Sequence, residues 1–381
     1  MIRIQQRIRM KRFVVFLTIT VAFALFLHPV TYDPTGFTHL IYGIRSDHKA
    51  KSSLLDQTTN FSVHRETTAT TRPVNSPKKK VPRSIILWTA WRSGSTYLGE
   101  LLANALPDTF YSTEPLLWWN VKILHESNNE TCNARRFLQG LLTCNIASSF
   151  DKQVKYLSKQ PFYMMYNTYL SKNCKKTSLC AKTDYVNEVC QRANIHIIKL
   201  LRLSLKWAWP LLENDDLDLR IIYLARDPRA VLESRSKVNW CHDKTCKDPK
   251  TVCELLDDDL REAKKMMQQF PEKFKFIQYE KVSDDLVNSL KDIMSFAQLS
   301  VTNRQMKIIG RKKGDPNEPF ITRKDSRKQV NRWRKKADFR QILTFQRECL
   351  KPLSQLGLRI FSSKTELVNA SLPLLVSGGK P

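Results

Sequence analysis

The sequence predicts an α/β fold, in which a P-loop-like parallel sheet is flanked by helices, between residues 81 and 362. Short apolar runs alternate with stretches of helical periodicity, which is the pattern of such a sheet. The strand candidates are SIILWT (84–89), IHIIKLL (195–201), RIIYLA (220–225) and KFKFIQY (273–279). Runs that are apolar at consecutive positions are typical of strands covered on both faces.

The segments between the strand candidates predict helices. In residues 95–106, apolar pairs recur every four positions and form one stripe that a helix can bury. Residues 249–270 repeat the pattern. The region 120–190 is less periodic and carries five of the nine cysteines, which predicts a helical or loop-rich insertion.

The first 80 residues predict a membrane anchor followed by a stem. Five Lys and Arg residues precede an uncharged apolar run at 13–30, which has about the length of a membrane span. A cleaved signal peptide is the alternative, because Ala22-Phe23-Ala24 resembles a cleavage site. With an anchor, the positive-inside rule leaves residues 1–12 in the cytosol. The Thr-, Ser- and Pro-rich residues 31–80 then form a luminal stem, and residues 363–381 a C-terminal tail.

Charge and cysteines narrow the set of partners. The net charge of +27 on 381 residues points to anionic partners. A luminal domain rarely meets nucleic acid, so nucleic acid is not expected among these partners.

The nine cysteines predict disulfides, with an odd cysteine that is free or joins a homodimer. Zinc is the alternative at Cys241, His242, Cys246 and Cys253. Glycosylation sequons begin at Asn60, Asn129 and Asn369.

The stretch ILWTAWRSGSTYLGELL (86–102) predicts an anion site between a strand and a helix. Gly94 permits a close backbone approach, and the unpaired N–H groups of a helix beginning near Ser95 favour an anion. An ordinary turn capped by a serine is the alternative. The first glycine and the lysine of a triphosphate-binding loop are missing, which indicates an anion other than a magnesium-bound triphosphate.

A second candidate phosphate site is RIIYLARDPRAVLESRSKV (220–238). The strand ends at Arg226, Asp227 caps the next helix, Pro228 takes its first position, and Ser234 follows two turns later. Arg226 and Ser234 can converge on one phosphate. The alternative is a surface helix on which Arg229 and Arg235 are solvated.

These two segments together resemble the Golgi carbohydrate sulfotransferases, particularly the galactose/N-acetylglucosamine/N-acetylgalactosamine 6-O-sulfotransferases. WRSGSTYLGELL is similar to their 5′-phosphosulfate loop, and RDPRAVLESR to their 3′-phosphate motif. Further similarities are STEPLLWW (112–119), IKLLRL (198–203) and DSRKQVNRWRKK (325–336), so the resemblance spans residues 82 to 350.

The resemblance implies the sulfotransferase fold and a site for 3′-phosphoadenosine 5′-phosphosulfate (PAPS), with no metal. Arg92 would stabilise the leaving phosphate. The 5′-phosphate would bind at Ser93, Gly94, Ser95, Thr96 and Tyr97, and the 3′-phosphate at Arg226 and Ser234. Glu114 is the candidate general base, with a raised pKa, and its alternative role is an ion-pair partner of an arginine. Lys199 and Arg202 would face the sulfonate or lie solvated at the strand end.

The resulting hypothesis is a type II Golgi membrane protein that transfers a sulfuryl group from PAPS to a sugar hydroxyl. By family likeness the position is the 6-OH of galactose, N-acetylglucosamine or N-acetylgalactosamine on a glycoprotein or proteoglycan glycan. Two alternatives stay open: a P-loop kinase or nucleotide hydrolase, and an inactive membrane-anchored glycan-binding protein.

Overall fold

The computed structural model describes residues 82–104, 106–174, 176, 178–300 and 326–376, without the side chains of 326–329. Its sheet has five parallel strands in the order β2-β3-β1-β4-β5. They are β1 (Arg83–Thr89), β2 (Thr109–Thr113), β3 (Ile195–Leu200), β4 (Leu219–Ala225) and β5 (Phe274–Gln278). The α/β fold and all four predicted strands are confirmed, and β2 is an additional strand.

Both faces of the sheet are covered, as predicted. Successive side chains of a strand point to opposite faces. In β1, Ile86 and Trp88 join a buried cluster on one face, and Ile85 and Leu87 join a second cluster on the other. All four are at most 1% exposed.

The first predicted helix is α1 (Ser95–Ala103), which ends earlier than the periodicity suggested, with Asn104 as its C-cap. Residues 120–190 form a mainly helical insertion, as expected, with the α-helices α2 (Asn129–Leu142), α3 (Asp151–Ser158), α4 (Pro161–Tyr166), α5 (Thr168–Asn173) and α6 (Thr183–Gln191).

The remaining α-helices of the described residues follow β3. They are α7 (Trp209–Leu212), α8 (Pro228–Arg235), α9 (Lys244–Lys247), α10 (Pro249–Gln269), α11 (Tyr279–Asp284), α12 (Leu286–Phe296), α13 (Ser326–Lys336), α14 (Phe339–Glu348), α15 (Leu350–Gln355) and α16 (Lys364–Val368). The predicted helix at 249–270 is confirmed as α10. It begins after Asp248, whose carboxylate accepts a hydrogen bond from the Thr251 N–H at 2.9 Å.

The segment after residue 362 differs from the predicted tail. Leu367 of α16 is 1% exposed, and Leu375 forms a β-bridge with Leu358. The buried Arg334 guanidinium donates hydrogen bonds to the carbonyl oxygens of Leu367, Asn369 and Leu372 at 2.7 to 3.0 Å. Residues 363–376 therefore pack on the domain.

Eight cysteines pair as Cys144–Cys190, Cys174–Cys180, Cys241–Cys246 and Cys253–Cys349. Cys132 is the one free cysteine in the part of the chain that the structure describes. The three cysteines considered as zinc ligands are thus engaged in disulfides.

No helix among the described residues is long and apolar enough to span a membrane. The predicted tail at 1–12, the anchor at 13–30, the stem at 31–80 and the sequon at Asn60 lie outside the described residues.

Candidate active site

The turn between β1 and α1 forms a cradle of backbone groups. Arg92 and Gly94 have φ angles of 69° and 89°, in the left-handed region. Gly94 is the N-cap of α1 and offers no side-chain cap, so the first N–H groups of the helix are open to a ligand. The alternative of a serine-capped turn is therefore wrong, because Ser95 already lies inside the helix.

Only glycine fits at position 94. A Cβ atom there would lie 2.2 Å from Cε2 of Tyr279, the first residue of α11. The Tyr279 ring also lies beneath the Arg226 guanidinium, whose Cζ is 4.5 Å from the ring centroid. Tyr279 thus packs against both predicted phosphate-binding segments.

The structure brings these two segments into direct contact. Arg226 Nη1 donates to the Arg92 carbonyl oxygen at 2.9 Å, and Arg92 Nε donates to Ser234 Oγ at 2.8 Å. Strands β1 and β4 are neighbours, but the chain continues from β1 towards β2 on one side and from β4 towards β5 on the other. Ligands of open α/β sheets bind at such a reversal, beside the carboxyl ends of the strands.

A cavity of about 630 Å³ lies at this place. It is lined by seven of the predicted cofactor-binding residues, and by Glu114, Lys199 and Tyr279. Those seven are Arg92, Gly94, Ser95, Thr96, Tyr97, Arg226 and Ser234. The eighth, Ser93, is 2% exposed and does not line the cavity.

Two guanidinium groups, of Arg92 and Arg226, line one side of the cavity, and the buried guanidinium of Arg235 lies close to that of Arg92. Burial lowers the pKa of Arg92, and the positive charge of Arg226 lowers it further. Burial likewise lowers the pKa of Arg235 to about 9, and Arg92 adds to the effect. None of the three is ion-paired with a carboxylate of the described residues. A bound anion would relieve this repulsion.

Two buried N–H donors at the cavity have no hydrogen-bond partner among the described residues, Arg226 Nε and Trp333 Nε1. Trp333 is only 4% exposed. Buried polar groups are nearly always hydrogen-bonded, so these two donors need acceptors that the described residues do not supply. Phosphate oxygens are acceptors of this kind, and the sequence predicted phosphate binding at Arg226.

Residues 82–357 match the sulfotransferase domain family. The chain belongs to this family. Carbohydrate sulfotransferase 4 of Mus musculus is 26% identical over 377 aligned residues, which cover 84% of this chain and 91% of that protein. Carbohydrate sulfotransferase 6 of Homo sapiens is 25% identical, with 77% and 85% covered. The resemblance to carbohydrate sulfotransferases that the five segments indicated is confirmed.

Among solved structures, the sulfotransferase domain from the Synechococcus PCC 7002 olefin synthase is 17% identical. The superposition of the two structures covers 71% of this chain and 96% of the olefin synthase domain, with a TM-score of 0.38. We draw no conclusion from a likeness at that score.

In this sulfotransferase, Glu114 lies in an ion cluster. Its carboxylate is 3.1 Å from Lys199 Nζ and 3.0 Å from Arg202 Nη1, and both cationic side chains are at most 4% exposed. Burial raises the pKa of Glu114, but the charges and hydrogen bonds of Lys199 and Arg202 outweigh it and hold the pKa below its usual value. The expected raised pKa is therefore wrong, and the alternative of an ion-pair partner describes the residue.

Lys199 and Arg202 are not solvated strand-end charges. Besides Glu114, Lys199 Nζ donates to Thr96 Oγ1 at 3.2 Å, which connects the ion cluster to the first turn of α1. Arg202 Nε donates to the Asn120 carbonyl oxygen at 2.6 Å. Lys199 lines the cavity and is a functional candidate that the sequence left undecided.

The alternative of a solvated helix α8 is also wrong. Arg229 is fully buried and pairs with Asp227 at 2.8 Å, and Arg235 is 3% exposed. The predicted cap is confirmed, since Asp227 accepts from the Arg229 N–H at 2.9 Å. The buried part of helix α8 therefore holds Ser234, which is partly exposed, at the wall of the cavity.

Sequence reasoning did not assign several other residues of the cavity wall: Lys237, Trp240, Arg332 and Lys336, together with Tyr279. Tyr279 follows β5 directly, and a position at the carboxyl end of a strand is a signal that could have found it. The others come from loops and from α13, whose place at the cavity depends on tertiary packing.

Proposed function

We propose that the protein transfers a sulfuryl group from PAPS to a sugar hydroxyl. The observation that carries this proposal is the contact of the two candidate phosphate-binding segments around one cavity, where the guanidinium groups of Arg92 and Arg226 have no carboxylate partner among the described residues. A donor that carries phosphates at both the 3′ and the 5′ position of its ribose would satisfy both segments at once.

The sulfuryl transfer would be an in-line displacement. The acceptor oxygen forms a bond to sulfur while the bond between sulfur and the 5′-phosphate oxygen breaks. Negative charge then grows on the leaving phosphate, and cations fixed at that place stabilise the transition state. We assign this role to Arg92. The backbone N–H groups at Ser93, Gly94, Ser95 and Thr96 would hold the 5′-phosphate, beside Tyr97.

The 3′-phosphate would bind at Arg226 and Ser234. Arg226 has a buried Nε–H without a partner among the described residues, and Ser234 Oγ already accepts from Arg92. In this arrangement Arg92 and Ser234 are close enough for both phosphates of one nucleotide to influence the same guanidinium. No step of the proposal uses a metal.

We propose that Glu114 acts on the reaction chiefly through Lys199. A carboxylate with a lowered pKa is a weak base. The proton of the sugar hydroxyl would therefore pass to Glu114 only as the new bond between oxygen and sulfur forms. Its ion pair places the Lys199 ammonium at the cavity wall, close to Thr96. There the ammonium can attract the non-bridging oxygens of the sulfonate.

For the acceptor, we propose the 6-OH of galactose, N-acetylglucosamine or N-acetylgalactosamine in a glycoprotein or proteoglycan glycan. The names of the relatives support a carbohydrate, and the net charge of +27 suits an acidic chain. We further propose residence in the Golgi membrane through residues 13–30, with the domain in the lumen. Four disulfides support an oxidising compartment.

Labelled PAPS and purified full-length protein test the proposal against a panel of desulfated glycans. We expect label to enter at least one glycan with the wild type, and turnover to fall on the order of 100-fold or more with Arg92→Ala. The exposed Arg347 is the control position, and Arg347→Ala should behave as the wild type.

The proposal fails if no glycan is labelled, or if Arg92→Ala and wild type have equal turnover. Transfer from labelled ATP would instead support a kinase. Chemical mapping of the sulfated carbon tests the 6-OH assignment separately, because sulfation at another carbon would reject only that part.

A further inference from the structure

Arg235, the last residue of α8, holds the turn that carries Arg92. Its side chain is 3% exposed and does not line the cavity. Nε and Nη2 donate to the Trp91 carbonyl oxygen at 3.2 and 3.0 Å, and Nη1 donates to the Cys246 carbonyl oxygen at 2.9 Å. Arg235 therefore joins the residue before Arg92 to the short helix α9, which contains Cys246.

The turn needs such support because its conformation is unfavourable. Arg92 has a φ of 69°, which a residue with a side chain adopts only when its surroundings impose it. Two consecutive carbonyl oxygens, of Trp91 and Arg92, accept hydrogen bonds from Arg235 and Arg226. Both arginines belong to the segment after β4, so that segment sets the path of the turn.

The other end of this connection is closed by a disulfide. Cys241 and Cys246 pair across five positions, and both are buried with Trp91 and Leu201 in one small cluster. The disulfide thus fixes the carbonyl oxygen of Cys246, which in turn accepts from Arg235. The chain of contacts runs from the disulfide through Arg235 to Trp91 and the turn.

A buried, unpaired guanidinium is a poor choice for stability alone. Arg235 has no ion pair with a carboxylate of the described residues, and it lies close enough to Arg92 for their charges to repel. Replacing a buried charge by an apolar side chain of similar size is often neutral or stabilising. The hydrogen bonds of this guanidinium instead serve the adjacent turn, because two of its N–H groups donate to the Trp91 carbonyl oxygen.

We propose that Arg235 is a positioning residue that sets the reach of Arg92, and that the Cys241–Cys246 disulfide anchors it, so that donor binding and turnover depend on this disulfide. The inference rests on the proposed function, because it assigns Arg92 to the leaving phosphate. It adds a residue and a disulfide that touch neither donor nor acceptor.

The test compares four variants of the full-length protein: Arg235→Met, Arg235→Lys, Cys241→Ser with Cys246→Ser, and Cys174→Ser with Cys180→Ser. The last is a matched control, since Cys174–Cys180 also closes a short loop, across six positions, but lies outside the buried cluster that joins Cys241 and Cys246 to Trp91. The measurements are the Kd of adenosine 3′,5′-bisphosphate by calorimetry, kcat, the KM values of PAPS and acceptor, and the Tm.

With Arg235→Met we expect kcat to fall by roughly 10- to 100-fold, because a displacement of about 1 Å of a catalytic group costs on that order. The KM of PAPS should rise while the KM of the acceptor stays within about twofold. Arg235→Lys should recover part of the loss, since it keeps one charged donor. The Cys241/Cys246 variant should lose kcat/KM for PAPS by about 10-fold, and the Cys174/Cys180 variant should retain it.

The inference is overturned if folded Arg235→Met has the kcat and bisphosphate Kd of the wild type. It is also overturned if the two disulfide variants lose activity equally, or if a loss tracks Tm alone. Should Arg235→Met not fold, the comparison of the two disulfide variants decides. If the wild type transfers no sulfuryl group, the proposed function fails, and the bisphosphate Kd of the same variants still decides whether Arg235 positions the phosphate-binding turn.

Discussion

Removing the Arg226 side chain should weaken nucleotide binding more than removing the Ser234 hydroxyl. A hydrogen bond from a guanidinium to a phosphate contributes about 1.5 to 3 kcal/mol, and a neutral one about 0.5 to 1.5 kcal/mol. These energies correspond to roughly 10- to 150-fold for Arg226→Ala and 2- to 12-fold for Ser234→Ala in the Kd of adenosine 3′,5′-bisphosphate. Arg226 also supports the Arg92 carbonyl at 2.9 Å, so its loss lies towards the upper end.

Calorimetry at two ionic strengths separates the charge of Arg226 from the shape of the site. Salt screens the attraction between the phosphate and each cation, so the wild-type Kd should rise with salt. Arg226→Ala removes one cation and should reduce this rise, whereas Ser234→Ala should leave it unchanged. Arg226→Lys is the matched control, because it keeps the charge but cannot reproduce the guanidinium geometry.

The result that would refute this reasoning is an affinity loss for Ser234→Ala equal to or greater than that for Arg226→Ala. An unchanged salt dependence in Arg226→Ala would also refute it, because the guanidinium would then not act on the phosphate. Equal Tm values for the two variants would show that the comparison concerns the site and not the fold.

Three further predictions concern the turn, the ion cluster and the core. Gly94→Ala should abolish measurable bisphosphate binding, because the added Cβ would lie 2.2 Å from Tyr279 Cε2 at a φ of 89°, and calorimetry checks this. Glu114→Gln should lower kcat by roughly 10-fold or more, because Lys199 and Arg202 lose their partner. Since the folded pKa of Glu114 is lowered, its contribution to stability is present at neutral pH and lost as pH falls through the folded pKa. The Tm gap between wild type and Glu114→Gln should therefore close in acid, and a pH-independent gap would contradict this. Burial raises the pKa of Asp259 to about 7 in the folded protein. Its contribution to the stability of the fold is therefore present below the pKa of the unfolded chain and is lost as the pH rises to about 7. Between about pH 5 and 8, the Tm of Asp259→Asn should consequently fall by less than the Tm of the wild type. Parallel curves of Tm against pH would contradict this.

The strands that could be predicted are those whose side chains are apolar on both faces. Strand β2, with the sequence TFYST, is also fully buried, but its polar residues hid it. In the register of the two strands, Ser112 of β2 is the partner of Ile198 in β3. The Ser112 hydroxyl is hydrogen-bonded to Nε2 of His196, also in β3, at 3.0 Å. A polar strand is stable in the core when a neighbouring strand supplies its partners, and single-sequence periodicity carries no information about that neighbour.

The candidate site shows the same division. Residues near Gly94 and Asp227 could be predicted because turns and caps depend on local sequence. The state of Glu114 could not, because its pKa depends on Lys199 and Arg202, which lie 85 and 88 positions further along the chain. The sequence leaves a buried arginine such as Arg235 indistinguishable from a solvated one for the same reason.

The partners of the cations divide the cavity into two electrostatic halves. On the β3 side, Glu114 already neutralises part of the charge of Lys199 and Arg202. On the side between β1 and β4, Arg92, Arg226 and Arg235 lack carboxylate partners among the described residues, so attraction for a multiply charged anion is concentrated there. Under the proposed function, the phosphate-bearing donor would bind between β1 and β4 with its sulfonate directed towards Lys199. In the same arrangement, the side of Glu114 is left for the hydroxyl of the acceptor sugar. A neutral hydroxyl would not displace the donor phosphates from cations that have no carboxylate partner, but it can bind where Glu114 already balances the charge.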